Sequence, residues 1–196
     1  MNERSVERAL AHVAGELRRR GHSFALIGGL GVSIRGEVRF TRDVDLALDV
    51  ASDTELETLV RDLSAAGYVP LAVVEQDVKR RLAIVRLRAP GGVVIDLLAA
   101  SSGIEGEVVA RATDVAVDGA GSIPVARAEE LLALKVLSMT DRRPQDAIDA
   151  DGLLAVNPGL DLEAVRDLLG RIVARGFHRG QDLAAKLEGV LARRAT

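Results

Sequence analysis

GGLGVSIRGEVRFTRDVDLALDV, residues 28–50, joins a pair of glycines to an acid-apolar-acid triplet. The glycines end the short apolar run FALIGG that begins at Phe24. Residues 30–35 then read as a short helix and 44–50 as a strand, so the local order is strand, turn, helix, strand. Side chains alternate faces along a strand, which puts Asp43 and Asp45 on one side and Val44 and Leu46 on the other. Two strand positions span about 6–7 Å, and at an effective dielectric near 20 two carboxylates at that distance repel by roughly 2–3 kcal/mol. A proton, an intervening arginine or a hard divalent cation has to offset that repulsion.

Asp96 favours the cation. It is a lone acid inside VVIDLLAA, between Ile95 and Leu97, and a buried acid needs a partner. If its strand lies beside the one carrying Asp43 and Asp45, three carboxylates converge into the ligand set that two Mg²⁺ ions use when they bridge nucleotide phosphates. The plain alternative is that Asp43 merely starts a strand, Asp45 is solvated, and Asp96 pairs with Arg86 or Arg88 across a hairpin. Gly28 and Gly29 close a strand and open a helix, where backbone N–H groups and the helix dipole favour phosphate. A tight turn without a ligand is the competing reading. A dinucleotide fingerprint needs glycine where Ile34 stands, and a P-loop needs lysine where Glu37 stands, so both motifs fail.

The bulk numbers set the frame. The chain has 196 residues with 48% hydrophobic and 28% charged, ordinary globular usage and enough length for a real core. A net charge of −3 gives no global electrostatic footprint for nucleic acid. With no cysteine, disulfides, thiolate catalysis and cysteine-bound zinc are excluded. The N-terminal stretch has charges scattered through it, unlike a secretory signal, and no apolar run suggests a membrane span, so the cytoplasm is the expected compartment. His12, His22 and His178 have no metal-ligand spacing from one another.

Periodicity predicts an amphipathic helix over 3–20, with Val6, Leu10, Val13 and Leu17 on its apolar stripe. A helix capped by Ser52 or Asp53 follows, then a strand over 68–74 and an antiparallel hairpin of 81–88 with the segment after the Pro-Gly-Gly turn at 90–92. Signals are weak beyond Ser101. From about residue 128 the pattern is helical, with helices expected at 128–139, 144–156, 162–175 and 181–194. The expected fold is α+β: a mixed sheet with flanking helices over 1–126, the catalytic domain, followed by a helical C-terminal domain over 127–196.

Ile27-Gly28-Gly29, a gap of about a dozen residues, Asp43-Val44-Asp45 and the later Asp96 resemble the signature of the nucleotidyltransferase superfamily related to DNA polymerase beta. Arg39-Phe40-Thr41-Arg42 and LLALKVLSMTDRRPQDAIDADGLL from Leu131 resemble the bacterial AbiEii-type nucleotidyltransferase toxins and related small stand-alone proteins. The departure is Gln145, where a lysine often precedes the aspartate. The resemblance implies an enzyme that uses two Mg²⁺ ions and an NTP donor. It implies metal ligation by Asp43 and Asp45, a role as ligand or base for Asp96, triphosphate contacts from Gly28, Gly29 and Ser33, nucleotide contacts from Arg39 and Thr41, and a phosphate contact from Lys135. Read from the residues alone, Lys135 in an apolar helix either snorkels or has an anionic partner. Arg39 and Arg42 either clamp a phosphate or pair with Asp43 and Asp49. Arg142, Arg143, Asp146 and Asp149 read as a solvated, ion-paired helix face.

The acceptor stays open at this level. Aromatic residues are 2% of the chain, too few for a base-stacking platform. The arginines after residue 160 alternate with acids, which reads as a mixed solvated surface. The leading expectation is transfer of a nucleoside monophosphate to a hydroxyl on tRNA or protein, by the toxin of a toxin–antitoxin pair with a cognate antitoxin. The alternatives are modification of an aminoglycoside-like small molecule, or a non-catalytic nucleotide-binding module.

Overall fold

Val6, Leu10, Val13 and Leu17 are all buried on one stripe of the first helix, as their spacing predicts. The computed structural model describes residues 3–76 and 79–194. Their order is α1 (Glu3–Arg19), β1 (Phe24–Ile27), α2 (Gly28–Arg35), β2 (Asp43–Leu48), α3 (Asp53–Ala65), β3 (Val69–Gln76), β4 (Arg81–Arg88), β5 (Val94–Leu98), α4 (Glu105–Arg111), β6 (Thr113–Val117), β7 (Gly121–Val125), α5 (Ala128–Ser138), α6 (Pro144–Val156), α7 (Leu162–Ala174) and α8 (Leu183–Arg194). The strands form one mixed sheet in the order β3-β4-β5-β2-β1-β7-β6. Ser52 caps α3 by accepting the Glu55 N–H, as the sequence predicts.

The alternation in β2 sorts the two faces of the sheet. Val44, Leu46 and Leu48 join Leu26, Ile95 and Leu97 in a core with α1 and α3. Ala25, Ile27 and Ala47 face a second core, built with α2, α4 and the helices from α5 onward. Residues on both sides of position 126 therefore share that second core. Leu46 is fully buried, and truncating such a leucine to alanine costs about 2–5 kcal/mol.

Two regions differ from the sequence expectation. Between Ser101 and Pro124 lie α4 and the β6–β7 hairpin, which extends the sheet beyond β1 through a parallel pairing of Leu26 with Val125. Helix α4 is short and β6 is mostly exposed, so neither has a strong apolar period. Helix α2 begins at Gly28 itself, not at Leu30, so the glycines are the first turn of the helix. At the opposite edge, β3 leaves Val69, Leu71, Val73 and Val74 exposed. No helix among the described residues is long and apolar enough to cross a membrane.

Candidate active site

A single row of paired residues crosses four strands. Arg86 on β4 lies opposite Asp96 on β5, Asp96 is level with Asp45 on β2, and Asp45 is level with Ile27 on β1. Asp43 sits two positions along β2, on the same face. The convergence expected of the three acids is therefore present, because β2 and β5 run parallel and in register.

Asp96 is not free, however. The Arg86 guanidinium grips it bidentately, with Nε donating to Oδ1 at 2.8 Å and Nη2 donating to Oδ2 at 2.6 Å. Asp96 is only 7% exposed, whereas the Arg86 side chain is about half exposed. The Asp96 pairing that the sequence left as an alternative is thus the one that forms, and it pulls the Arg86 pKa up. Asp45 is partly buried, and its carboxyl is pushed up to about 6, first by burial and then by the charges of Asp96 and Asp43. The Lys135 charge and a hydrogen bond from the Gly29 N–H oppose that rise.

Three carboxylates against one guanidinium leave negative charge uncompensated, and hard oxygen donors in that state suit a divalent cation. Asp43 and Asp45 fit such an ion. Asp96 differs from them in that its charge is already paired with Arg86. Among the described residues no three His, Cys, Asp or Glu side chains form a ready metal cluster.

The glycines have a packing role beside the phosphate cradle expected of them. Gly28 has φ +62°, and a Cβ there would overlap the Asp45 carboxylate. A Cβ on Gly29 would collide with the Arg39 guanidinium and press on Thr41 Oγ1. Both positions are glycine because β2 and the loop before it approach so closely. The Gly29 N–H, one of the donors left open at the start of a helix, serves Asp45. Ser33 corrects the sequence expectation of a triphosphate contact. Its hydroxyl bonds to the Gly29 and Arg39 carbonyls and accepts the Arg39 N–H, which ties down the 36–42 loop, and it does not line the cleft. Thr41 does line the cleft, with its hydroxyl directed to the Asp43 carbonyl at 3.4 Å.

Lys135 has its anionic partners. Its Nζ lies 2.8 Å from Asp146 Oδ1 and 2.7 Å from Asp149 Oδ2, and all three residues are less than a tenth exposed. Arg39 Nε reaches Asp149 Oδ1 at 2.8 Å, Gln145 Nε2 donates to the same oxygen, and Arg143 Nε approaches Asp146 Oδ2 at 3.1 Å. This overturns the reading of Asp146 and Asp149 as a solvated face. Three residues apart on α6, they turn inward because α6 packs against α5. Arg39 pairs with Asp149 and neither Asp43 nor Asp49, while Arg42 stacks over the exposed Phe40 ring at 5.5 Å.

These groups line one cleft of about 690 Å³, in the size range of ligand sites. Gly28, Gly29, Asp43, Asp45, Asp96, Arg86 and Lys135 are on its walls. So are Arg142, Arg143 and Arg179. The sequence groups Arg179 with the C-terminal arginines read as a mixed solvated surface, and its neighbours there do make surface ion pairs: Arg166 with Glu188, Arg171 and Arg175 with Glu107, and Arg193 with Asp151. Arg179 instead donates to the Ser101 carbonyl at 3.1 Å, and burial together with the charge of Arg143 lowers its pKa. Ser101 is itself held by buried Glu105, whose carboxylate accepts the N–H groups of Ser101, Ser102 and Gly103.

Residues 9–193 match the family described as nucleotidyl transferase AbiEii toxin, type IV TA system. The chain belongs to this family. It is accordingly a nucleotidyltransferase, and the AbiEii likeness read from residues 39–42 and 131–154 holds along nearly the whole chain. An antigenic nucleotidyltransferase-like protein from Paracoccidioides brasiliensis is similar in structure, at 18% identity and TM-score 0.52, with 96% of this chain and 94% of that one covered. The lincomycin-bound lincosamide antibiotic adenylyltransferase LnuA is 14% identical with a TM-score of 0.50, covering 76% of this chain and 96% of that one. At these identities the likeness shows the fold. No curated protein matches the chain significantly.

Proposed function

We propose that this AbiEii family member moves a nucleoside monophosphate from an NTP to a hydroxyl on an RNA acceptor, with tRNA the leading candidate. The observation that carries the reading is the two-signed cleft: Asp43 and Asp45 on one wall, Arg142, Arg143 and Arg179 on another. In the reaction the acceptor oxygen bonds to the α-phosphorus, the bond from that phosphorus to the bridging oxygen breaks, and pyrophosphate leaves. The acceptor's hydroxyl proton passes to a carboxylate of the aspartate face. Asp43 and Asp45 would hold a divalent cation such as Mg²⁺, which would supply charge neutralisation to the phosphates. Thr41 and Arg39 border the donor site, and Lys135 adds positive potential beneath it while remaining clasped by its aspartates.

The arginine wall favours a phosphate-bearing acceptor and disfavours a polycationic one such as an aminoglycoside. The uncompensated carboxylates argue against a non-catalytic module, since an inert relic has no reason to keep them. An NTP donor and an RNA acceptor are cytoplasmic molecules, and that is the compartment we assign. The toxin role, with a cognate antitoxin, rests on the family membership.

The test is incubation with α-labelled NTPs and Mg²⁺ in the presence of total tRNA, cell protein or an aminoglycoside panel. Label in tRNA supports the reading. Label only in protein or only in an aminoglycoside refutes the acceptor assignment, and no label anywhere refutes the transfer reaction for these acceptor classes.

A further inference from the structure

We infer that Arg86 is a built-in counter-ion for Asp96, so that the aspartate face takes one divalent cation, on Asp43 and Asp45, while the second positive charge of the site is the guanidinium. This inference concerns the site proposed above and rests on that reading for its functional meaning, though the binding count it predicts does not.

Three features support it. The first is register: Arg86 and Asp96 are direct cross-strand partners in an antiparallel pair, so their side chains leave the same face of the sheet side by side. The second is charge pairing: two parallel hydrogen bonds at 2.8 and 2.6 Å reach both carboxylate oxygens, and because the fork geometry of Arg matches a carboxylate bidentately, the Asp96 charge is already compensated. The third is access. Both residues line the cleft, but Asp96 is buried while about half of the Arg86 side chain is exposed. A cation approaching Asp96 meets a fixed positive charge that cannot be removed by deprotonation. Asp43 and Asp45 have no such partner among the ion pairs of the described residues. They therefore keep the ligand role while Asp96 does not.

The pairing also gives Arg86 something to do in the cleft. Asp96 occupies Nε and one Nη2 donor, and most of the five N–H groups of a guanidinium remain for an anion on the cleft wall that Arg86 lines. Fixed by its carboxylate, the group needs little reorganisation to meet a phosphate oxygen. That is the service a second metal ion otherwise supplies.

Mn²⁺ titration without nucleotide, followed by calorimetry and by the electron paramagnetic resonance signal of the free ion, reads the count directly. The wild-type protein is expected to bind one ion per chain. Asp45→Asn should lose it. The double variant Asp96→Asn with Arg86→Met removes both charges together, leaves no buried carboxylate unpaired, and should still bind one ion with affinity within about threefold of wild type. Arg86→Met alone frees both Asp96 oxygens and should bind two. Any wild-type count other than one, or loss of the ion in the double variant with its fold intact by circular dichroism, overturns the inference. Because the readout is binding, a wild-type count of one with no transfer activity would sink the proposed reaction and leave this assignment standing.

Discussion

Two charged clusters share the cleft, and they are built to opposite ends. Around Lys135, two buried aspartates meet three cations, Lys135, Arg39 and Arg143, at 2.7–3.1 Å. On the sheet, three aspartates have one guanidinium, and Asp45 is held up near 6 by burial and then by its acidic neighbours. The first cluster is internally complete, with positive charge to spare. The second needs something from outside. A protein that compensates buried charge fully in one place and leaves it open a few residues away marks the open place as the one that binds.

The sharpest way to break the contrast is to remove an open carboxylate. Asp43→Asn is expected to reduce nucleotidyl transfer by roughly three orders of magnitude or more while the fold persists, because a cation ligand contributes several kcal/mol to the transition state. Labelled-NTP transfer checks the rate and circular dichroism the fold. Lys135→Met tests the closed cluster: stripping the cation from two buried carboxylates should destabilise the protein by about 3–5 kcal/mol in a denaturant titration. An unchanged midpoint accompanied by lost nucleotide binding would make Lys135 a phosphate ligand and erase the distinction.

Protonation sharpens the same contrast. Since the Asp45 carboxyl titrates above its ordinary value, the stabilisation from holding it protonated is full below the usual carboxylate range and is lost as pH rises through about 6. Asp45→Asn should therefore be more stable than wild type by about 1–3 kcal/mol at pH 8, and the two should converge near pH 4. Thermal unfolding across that range measures it. The smallest effect is expected on the arginine wall, where Arg179→Ala should weaken binding of tRNA about tenfold and lower the salt slope by about one, with NTP affinity unchanged.

The open cluster was legible in the sequence and the closed one was not. Asp43-Val44-Asp45 has a period of two, which survives into any sheet, and a lone acid in VVIDLLAA has to be paired. The hairpin narrowed the alternative partner to Arg86 or Arg88, and the observed register selects Arg86. The Lys135 clasp depends on α6 lying against α5, and acids three apart on a helix look alike whether that face meets water or another helix. Ser33 failed for a related reason: its hydroxyl was claimed by the loop it closes. The α4–β6–β7 region was illegible because its helix has two turns and its first strand is mostly exposed. Arg179 was hidden among arginines of the same composition, and only its anchorage to Ser101 separates it from them.

The outer strand β3 bears on how the protein behaves at high concentration. Val69, Leu71, Val73 and Val74 are about half exposed along a sheet edge, a surface on which a second chain can add itself strand by strand. Pro70 removes one amide donor, and irregularities between Pro70 and Ala72 and between Val74 and Glu75 bend the run, so little straight backbone is on offer. Replacing Pro70 with a β-branched residue should therefore lower the concentration at which the protein begins to aggregate.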